Sequence, residues 1–336
     1  AGKVEPQQQI VQNSMMQQLS RYRDAAMRGC RHPELEKAAV IPADFNAEKP
    51  PIPAEKEAVV DDAEITEAPT ETLDELLAQL HQLVGLQNVK DELESLIHLL
   101  RIRTIRQERG LPLPQTSLHM VFSGNPGTGK TTVARLLSKI YARLGVLKKG
   151  HLIEADRATL VSGYVGQTAI KTKKVVEKAM GGVLFIDEAY ALYRGGEDSF
   201  GLEAIDTLVK GIEDHRDDLV VILAGYTKEM QLFLSANSGL ASRFPNQIEF
   251  PDYTGAELYK ILCSIARSKG YTLDAACELP LVTYFDRKQA EDAATNGNGR
   301  MARNTLEKAI LNQSKRLVAD PDASLELLVV GDFELE

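Results

Sequence analysis

Two short runs of the sequence contain residue types that could bind and cleave a nucleoside triphosphate. The first, Gly124-Asn125-Pro126-Gly127-Thr128-Gly129-Lys130-Thr131-Thr132, fits the pattern G-x-x-x-x-G-K-[ST]. Its glycines let several backbone N–H groups point to one place, and the following helix adds the positive end of its dipole. The pattern predicts a phosphate-binding loop in which Lys130 reaches the β- and γ-phosphates and the Thr131 hydroxyl binds Mg²⁺. Thr132 is expected to support the loop.

The second run ends in two adjacent carboxylates. Val183 to Ile186 is typical of a fully buried strand, and Asp187 and Glu188 follow it directly. Carboxylates at such a place are costly unless they meet a cation or water. We therefore expect Asp187 to hold Mg²⁺ through its water shell and Glu188 to polarise the attacking water as a general base. Two alternatives remain open. In one, the Gly-rich run is only a turn before a helix and binds no ligand. In the other, the two carboxylates only cap the next helix.

The elements that must position these residues can be read from the hydrophobic pattern. Leucines at helical spacing predict two helices on either side of the turn Val84-Gly85-Leu86. Short apolar strands then alternate with helices, which predicts a parallel sheet covered on both faces, with ligands at the carboxyl ends of the strands. The predicted strands are Met120 to Ser123, His151 to Glu154, Val183 to Ile186, Leu219 to Ala224 and Gln247 to Phe250.

Three parts follow from changes of composition along the chain. Residues 1–70 form an N-terminal extension, with a Gln-rich, weakly amphipathic helical pattern followed by a stretch rich in Pro, Ala and Glu that reads as a linker. Residues 71–252 contain the α/β pattern. Residues 253–336 form a helical part, with helices predicted at about 254–268, 279–290 and 299–318.

Composition excludes several classes of protein. No apolar run approaches the roughly 18 residues that a membrane span needs, and the N-terminus lacks the layout of a secretory signal. Three cysteines without C-x-x-C spacing argue against a disulfide framework and a zinc site, so we expect a cytoplasmic location. The net charge of −9 disfavours nucleic acid as a partner.

From about residue 72 to 318 the chain resembles the AAA+ ATPases, and within them the branch that contains the red-type rubisco activase CbbX and the stage V sporulation protein K. The resemblance rests on the two runs above and on three further motifs, at residues 162–167, 242–244 and 297–304. All five occur along the chain in the order in which the family has them. It implies a P-loop AAA+ core with a five-stranded parallel sheet flanked by helices, and a C-terminal helical lid. It also implies ATP and Mg²⁺ as cofactors, and ATP hydrolysis.

The same resemblance implies roles for single residues. Arg243, in Ser242-Arg243-Phe244, looks like an arginine finger that reaches the γ-phosphate held by a neighbouring subunit; read without the family, it is a surface cation before a strand. Arg300 is similar to the sensor-2 arginine of the lid and is favoured over Arg303 for the γ-phosphate contact. Catalytic roles thus fall to Glu188, Lys130, Arg243 and Arg300.

Nucleotide contacts are implied over two further stretches. The turn Val84-Gly85-Leu86 would flank the adenine, and the loop from Asn125 to Thr132 would surround the phosphates, through Asn125, Pro126, Gly127, Thr128, Gly129, Lys130, Thr131 and Thr132. The sensor-1 position departs from the Asn found in many AAA+ proteins, because the strand continues as Gly225-Tyr226-Thr227. Thr227 is placed among the nucleotide contacts, and the choice between its hydroxyl and that of Tyr226 stays open.

A last motif resembles the central pore loop of the family, with Tyr164, Val165 and Gly166 as the residues that grip a polypeptide. In the alternative interpretation Tyr164 packs into the core, because glycines on both sides suit a tight turn equally well. The pore signature and the arginine finger together predict a homo-hexameric motor that remodels a protein partner by threading. The competing hypotheses are a nucleic-acid motor or loader, and a regulatory scaffold that ATP switches.

Overall fold

The computed structural model describes residues 71–113, 117–164, 166–196, 198–320 and 323–335, without the side chains of Ser238, Ala293 and Ala294. The predicted N-terminal extension, residues 1–70, and the predicted pore residue Val165 therefore lie outside the described residues. The boundaries proposed at residues 70 and 252 stay predictions.

From residue 71 onward, where the description begins, two helices precede the sheet, as the leucine spacing predicts. Helix α1 spans Leu73–Gln82 and helix α2 spans Gln87–Glu108. Lys90 of α2 is buried and donates from Nζ to the carbonyl oxygens of His81, at 3.1 Å, and Leu83, at 2.6 Å. Because carbonyls at the end of a helix lack partners within it, this ammonium group satisfies them and fixes the turn between the two helices.

Strands and helices then alternate through the α/β part. The first half contains β1 Met120–Gly124, α3 Lys130–Arg143, β2 Leu152–Ala155, α4 Arg157–Leu160, α5 Thr168–Ala179 and β3 Val183–Ile186, followed by a 3₁₀ turn at Ala189–Leu192. The second half contains α6 Ser199–Asp214, β4 Val220–Gly225, α7 Thr227–Ala236, the short α8 Ser238–Ala241 and β5 Asn246–Phe250.

The five strands form one parallel sheet in the order β2-β3-β4-β1-β5. β4 is paired on one side with β3, where Ile186 lies opposite Leu223, and on the other with β1, where Ser123 lies opposite Gly225. The segments that follow β3 and β1 therefore emerge at the same edge, on either side of β4. This order brings the phosphate-loop motif and the Asp187-Glu188 pair together, and it confirms the predicted fold class.

Alternate side chains of each strand enter different hydrophobic clusters, because successive residues of a strand point to opposite faces. On β1, Met120 and Phe122 pack with α1, α2, α3 and the C-terminal helices, whereas Val121 packs with α5, α6 and α7. Both faces are thus covered. The strands β3 and β4 are apolar and buried throughout, as expected for the centre of a parallel sheet, whereas the edge strands carry exposed polar residues, Glu154 on β2 and Gln247 and Glu249 on β5.

The described residues of the C-terminal part form three helices and one small strand pair. These elements are α9 Gly255–Ser268, β6 Thr272–Leu273, α10 Glu278–Asn296, α11 Gly299–Ala319 and β7 Leu327–Leu328, with 3₁₀ turns at Ala275–Cys277 and Val330–Asp332. The two-residue strands β6 and β7 pair in parallel and were not predicted, because strands so short leave no periodic signal. Among the described helices, none is long and apolar enough to cross a membrane.

Candidate functional site

A cavity of about 570 Å³ opens at the carboxyl edge of the sheet. Its walls come from the phosphate loop, the turn between α1 and α2, the ends of β3 and β4, and the lid helices α9 and α11. The predicted site residues that line it are Val84, Leu86, Pro126, Gly127, Gly129, Lys130, Thr131, Thr132, Asp187, Glu188 and Arg300. Residues separated by more than 200 positions in the sequence thus meet around one space.

Several predicted nucleotide contacts lie outside this lining in the part of the chain that the structure describes: Gly85, Asn125, Thr128 and Thr227. Thr128 is fully buried, and its hydroxyl donates to the carbonyl oxygen of Asn125 at 2.9 Å, so it braces the loop from behind. At the end of β4, Gly225 and Tyr226 line the cavity. Of the two hydroxyls considered for sensor 1, only that of Tyr226 belongs to a lining residue.

Besides Tyr226, residues that the sequence did not single out complete the walls. Tyr190 and Tyr226 stand beside Glu188 with their ring centroids 5.8 Å apart. Tyr253 and, from α9, Ile261, Ser264 and Ile265 close the side opposite the α1–α2 turn. The sequence offers no signal for these contacts, because they arise when α9 folds back over the sheet edge. An apolar slot between the turn and α9 suits a flat heterocycle.

The phosphate loop needs glycine at Gly127 for two reasons. Its φ angle of 74° lies in the left-handed region, where side chains are strained. In addition, a Cβ atom there would collide with the carbonyl oxygen of Gly297, just before α11. The N–H of Gly299 donates to the carbonyl oxygen of Gly127 at 3.0 Å. The loop and the start of α11 are therefore in direct backbone contact.

Lys130 lies folded against the loop. Its Nζ donates to the carbonyl oxygens of Gly124 and Asn125, both at 2.8 Å. Burial lowers the pKa of Lys130 to about 8, and the negative charge of Asp187 partly offsets that effect. The ammonium group is consequently held against the carbonyl oxygens of the phosphate loop, at the lining of the cavity.

Asp187 and Glu188 occupy the edge that β3 and β4 share. The Asp187 N–H donates to the carbonyl oxygen of Ala155 at 2.8 Å, which continues the β2–β3 pairing by one residue. Glu188 has φ 48° and ψ 44°, a left-handed conformation that costs about 1 kcal/mol or more outside glycine. Its carboxylate lines the cavity and makes no capping hydrogen bond to the 3₁₀ turn that follows. The Glu188 N–H donates to the Asp187 carboxylate at 3.0 Å.

Thr131 and Asp187, the two predicted Mg²⁺ ligands, both line the cavity. Within the described ranges, no group of three or more His, Cys, Asp and Glu side chains could hold a metal ion by itself. Mg²⁺ usually keeps several waters and binds one or two carboxylates together with substrate phosphates. A hydroxyl and a carboxylate beside a phosphate loop therefore fit this cation in the presence of a nucleotide.

Arg300 and Arg303 both line the cavity from α11, one turn apart, so the geometry brings both candidate sensor residues to the site. Arg243 does not share it. Its guanidinium donates from Nη1 to the carbonyl oxygen of Gly239 at 2.9 Å and lies 3.4 Å from the Glu213 carboxylate, in a second cavity of about 610 Å³.

The segment around Tyr164 connects α4 to α5. The Tyr164 side chain is 73% exposed, which is incompatible with the alternative in which it packs into the core. Gly166 is exposed as well, with φ 77°. The base of the segment is held by buried Thr168, whose hydroxyl oxygen accepts the Ser162 N–H at 3.1 Å.

Comparison with known proteins agrees with this architecture. Residues 120–252 match the model of the ATPase family associated with various cellular activities (AAA), and residues 254–336 match an AAA lid domain. A solved structure described as the FIGL-1 AAA domain in complex with ADP superimposes with a TM-score of 0.52 and 17% identity, covering 79% of this chain and 90% of that one. At that identity the likeness shows the fold alone.

Two curated relatives are much more similar. Stage V sporulation protein K of Bacillus subtilis is 46% identical over 265 residues, which cover 78% of this chain and 82% of the relative. Protein CbbX of Cereibacter sphaeroides is 44% identical over 254 residues, 75% of this chain and 82% of the relative.

A third relative has a similar identity. The chloroplastic ribulose bisphosphate carboxylase/oxygenase activase of Cyanidioschyzon merolae is 45% identical over 262 residues, 77% of this chain and 89% of the relative. Because both the core and the lid match, and because the identity extends over three quarters of the chain, this protein belongs to the AAA family of ATPases, in the branch of stage V sporulation protein K and CbbX, and is itself an ATPase.

Proposed function

We propose that this ATPase works as a Mg²⁺-dependent homo-hexameric ring and remodels a partner protein by drawing part of it through a central pore. The observation that carries the proposal is the exposure of Tyr164 on the segment between α4 and α5. Single exposed apolar side chains are common on protein surfaces, and the 73% exposure of Tyr164 supports the proposal because this residue stands in the segment that resembles the pore loop of the family. It is well suited to grip a polypeptide without regard to its sequence.

The roles of the residues around the cavity follow from their chemistry. Lys130 and the N–H groups of the loop would bind the phosphates, and the apolar slot between Leu86 and Ile265 would hold the adenine. Thr131 and Asp187 would hold Mg²⁺, which neutralises charge that develops on the phosphates. Glu188 would accept the proton of the attacking water, since its carboxylate is free at the cavity edge.

The position of Arg243 is a second argument for a ring. It lies in a different cavity from Lys130 and Glu188, so within one chain it is not part of the nucleotide site. A guanidinium is always charged and can donate two parallel hydrogen bonds to phosphate oxygens. We assign it to the nucleotide of the neighbouring subunit, which would leave each site incomplete until the ring forms.

The threading step can be tested by separating it from ATP turnover. Tyr164→Ala should abolish remodelling while ATP hydrolysis persists, and Tyr164→Phe, which keeps the ring, should retain remodelling. Leu232→Ala is a matched control, because Leu232 is 70% exposed on α7 and is assigned no role. If Tyr164→Ala remodels as well as the unmodified protein, threading by this residue is wrong.

The partner can be identified with a variant that binds ATP without cleaving it. Glu188→Gln in the presence of ATP should retain whatever polypeptide enters the pore, and a further Tyr164→Ala substitution should release it. One relative is named as an activase of ribulose bisphosphate carboxylase/oxygenase and another for sporulation. The two names refer to different processes, so our proposal states the chemical class of the partner, a polypeptide, and not the process in which it takes part. ATP turnover that DNA stimulates, with no retained protein, would favour the nucleic-acid motor instead.

A further inference from the structure

The phosphate loop and the lid are joined by a group of hydrogen-bonded polar residues, of which only Tyr253 also lines the nucleotide cavity. We call these residues the loop–lid junction: Asn125, Asp252, Tyr253, Gln289 and Asn298. The Asp252 carboxylate accepts the side-chain N–H groups of Asn125, at 2.9 and 3.0 Å, and of Asn298, at 2.8 Å. One carboxylate therefore connects the loop with the residue that immediately precedes α11.

Asn298 is at the centre of the loop–lid junction and is fully buried. Its Nδ2 also donates to the carbonyl oxygen of Pro126 at 3.3 Å. Its Oδ1 accepts the backbone N–H of Tyr253 at 3.0 Å and the side chain of Gln289 at 2.8 Å. The amide thus contacts three parts of the molecule at once: the phosphate loop, the segment that follows strand β5, and helix α10.

The strained backbone of Asn298 indicates that its side chain stabilises the loop–lid junction. Its φ of 46° and ψ of −119° belong to a region that glycine adopts easily and other residues adopt only under strain. Glycines flank it on both sides, at 297 and 299. A glycine at 298 would relieve the strain, so the hydrogen bonds of the asparagine side chain must offset it.

We propose that Asn298 and Asp252 are positioning residues for the nucleotide: they fix the start of α11, and with it Arg300, to the phosphate loop. Neither side chain belongs to the cavity lining. They act through Pro126, whose carbonyl Asn298 holds, and through Gly127, whose carbonyl accepts the Gly299 N–H. When the lid turns, the junction carries the loop with it, so nucleotide affinity and lid position are coupled. This inference requires nucleotide binding and is independent of threading.

A reciprocal exchange of the two side chains tests the pair. Asn298→Asp alone sets two carboxylates against each other, and Asp252→Asn alone sets two amide donors against each other or releases Asn125. The double variant again pairs one amide with one carboxylate and keeps the oxygen that accepts from Tyr253 and Gln289, but it loses the N–H that Asn298 donates to the Pro126 carbonyl. Each variant would be assayed for binding of a fluorescent ATP analogue and for KM and kcat, after circular dichroism has established which variants are folded.

Each single variant should weaken nucleotide binding about 10-fold, the loss typical for a hydrogen bond to a charged group. The double variant should bind no more than about 10-fold more weakly than the unmodified protein, which is the loss of the Pro126 contact alone, since the two single effects are coupled through one contact. KM should rise more than kcat falls. Independent effects, which would give the double variant about 100-fold weaker binding, would overturn the proposal, as would single variants that bind normally.

Two further variants separate positioning from mere stability. Asn298→Gly relieves the backbone strain and removes only the amide, so the folded protein should still bind ATP about 10-fold more weakly. A purely structural role predicts unchanged affinity in this folded variant, and that result would refute the assignment. Asn304→Asp makes the same chemical change on the exposed face of α11 and should leave binding unchanged.

Discussion

Mild acid should destabilise the core through one buried imidazole, that of His119. This residue directly precedes β1, is only 5% exposed, and packs against the ring of Phe244 with centroids 5.7 Å apart. Its Nδ1 accepts the N–H of Val221 at 3.0 Å, which requires that nitrogen to be unprotonated. Burial lowers the pKa of His119 from 6.5 to about 4.

The direction and size of the effect follow from these two pKa values. Between pH 6.5 and 4 the unfolded chain binds a proton at this position that the folded chain does not. The contribution to stability is therefore fully present above pH 6.5 and is lost as the pH falls toward 4. Integration from pH 7 to pH 5 gives a loss of about 2 kcal/mol from this residue alone.

The matching measurement is the free energy of unfolding in urea, followed by circular dichroism at pH 7 and pH 5. His119→Asn keeps an oxygen where Nδ1 accepts its hydrogen bond but cannot be protonated, so it should lose about 2 kcal/mol less between the two pH values than the unmodified protein. Its absolute stability should be lower, because the smaller side chain gives up contact with Phe244. His98→Asn, at an exposed position on α2, is the control.

The reasoning is refuted if the unmodified protein and His119→Asn lose the same free energy between pH 7 and pH 5. It is refuted equally if His98→Asn removes the pH dependence, since an exposed imidazole should not carry it.

Two further predictions concern the nucleotide site. Glu188→Gln should bind ATP normally and lose at least about 100-fold in turnover measured by phosphate release, because an amide cannot accept the proton of water; full turnover would remove Glu188 as the base. Arg243→Ala should bind ATP but not hydrolyse it, and mixing it with Lys130→Ala chains should restore part of the activity, because some interfaces then combine an intact site with an intact Arg243. No recovery in mixed rings would count against action across the interface.

The sequence predicted most of the core because its central strands are buried on both faces. Continuous apolar runs such as Val183 to Ile186 have no amphipathic alternative, and that strand was placed without error. The other four strands were placed within one residue at each end. Helix α10 extends six residues beyond its predicted end, past an interruption at Asp292, because the polar composition there resembles a loop.

The walls of the nucleotide cavity were predicted in part. The residues after β1 and β3 belong to motifs of fixed spacing, which can be recognised from the residue types alone, without knowledge of the fold. Tyr253, Ile261 and Ile265 have no such motif and line the cavity only because α9 returns over the sheet edge. The prediction for Thr227 illustrates the same limit, since whether residue 226 or residue 227 meets the cavity depends on where α7 begins.

By itself, the amino-acid sequence determined the chemistry available to this protein: a phosphate loop, a carboxylate pair after a buried strand, and the family to which both belong. These features depend on residue types at short range, where backbone geometry is set locally. Only the tertiary structure decided that Arg243 lies apart from the nucleotide cavity, that Tyr164 is exposed, and that Asn298 joins loop to lid. Those relations connect residues up to 173 positions apart, such as Asn125 and Asn298 around Asp252, and arise only when the sheet edge and the lid pack together.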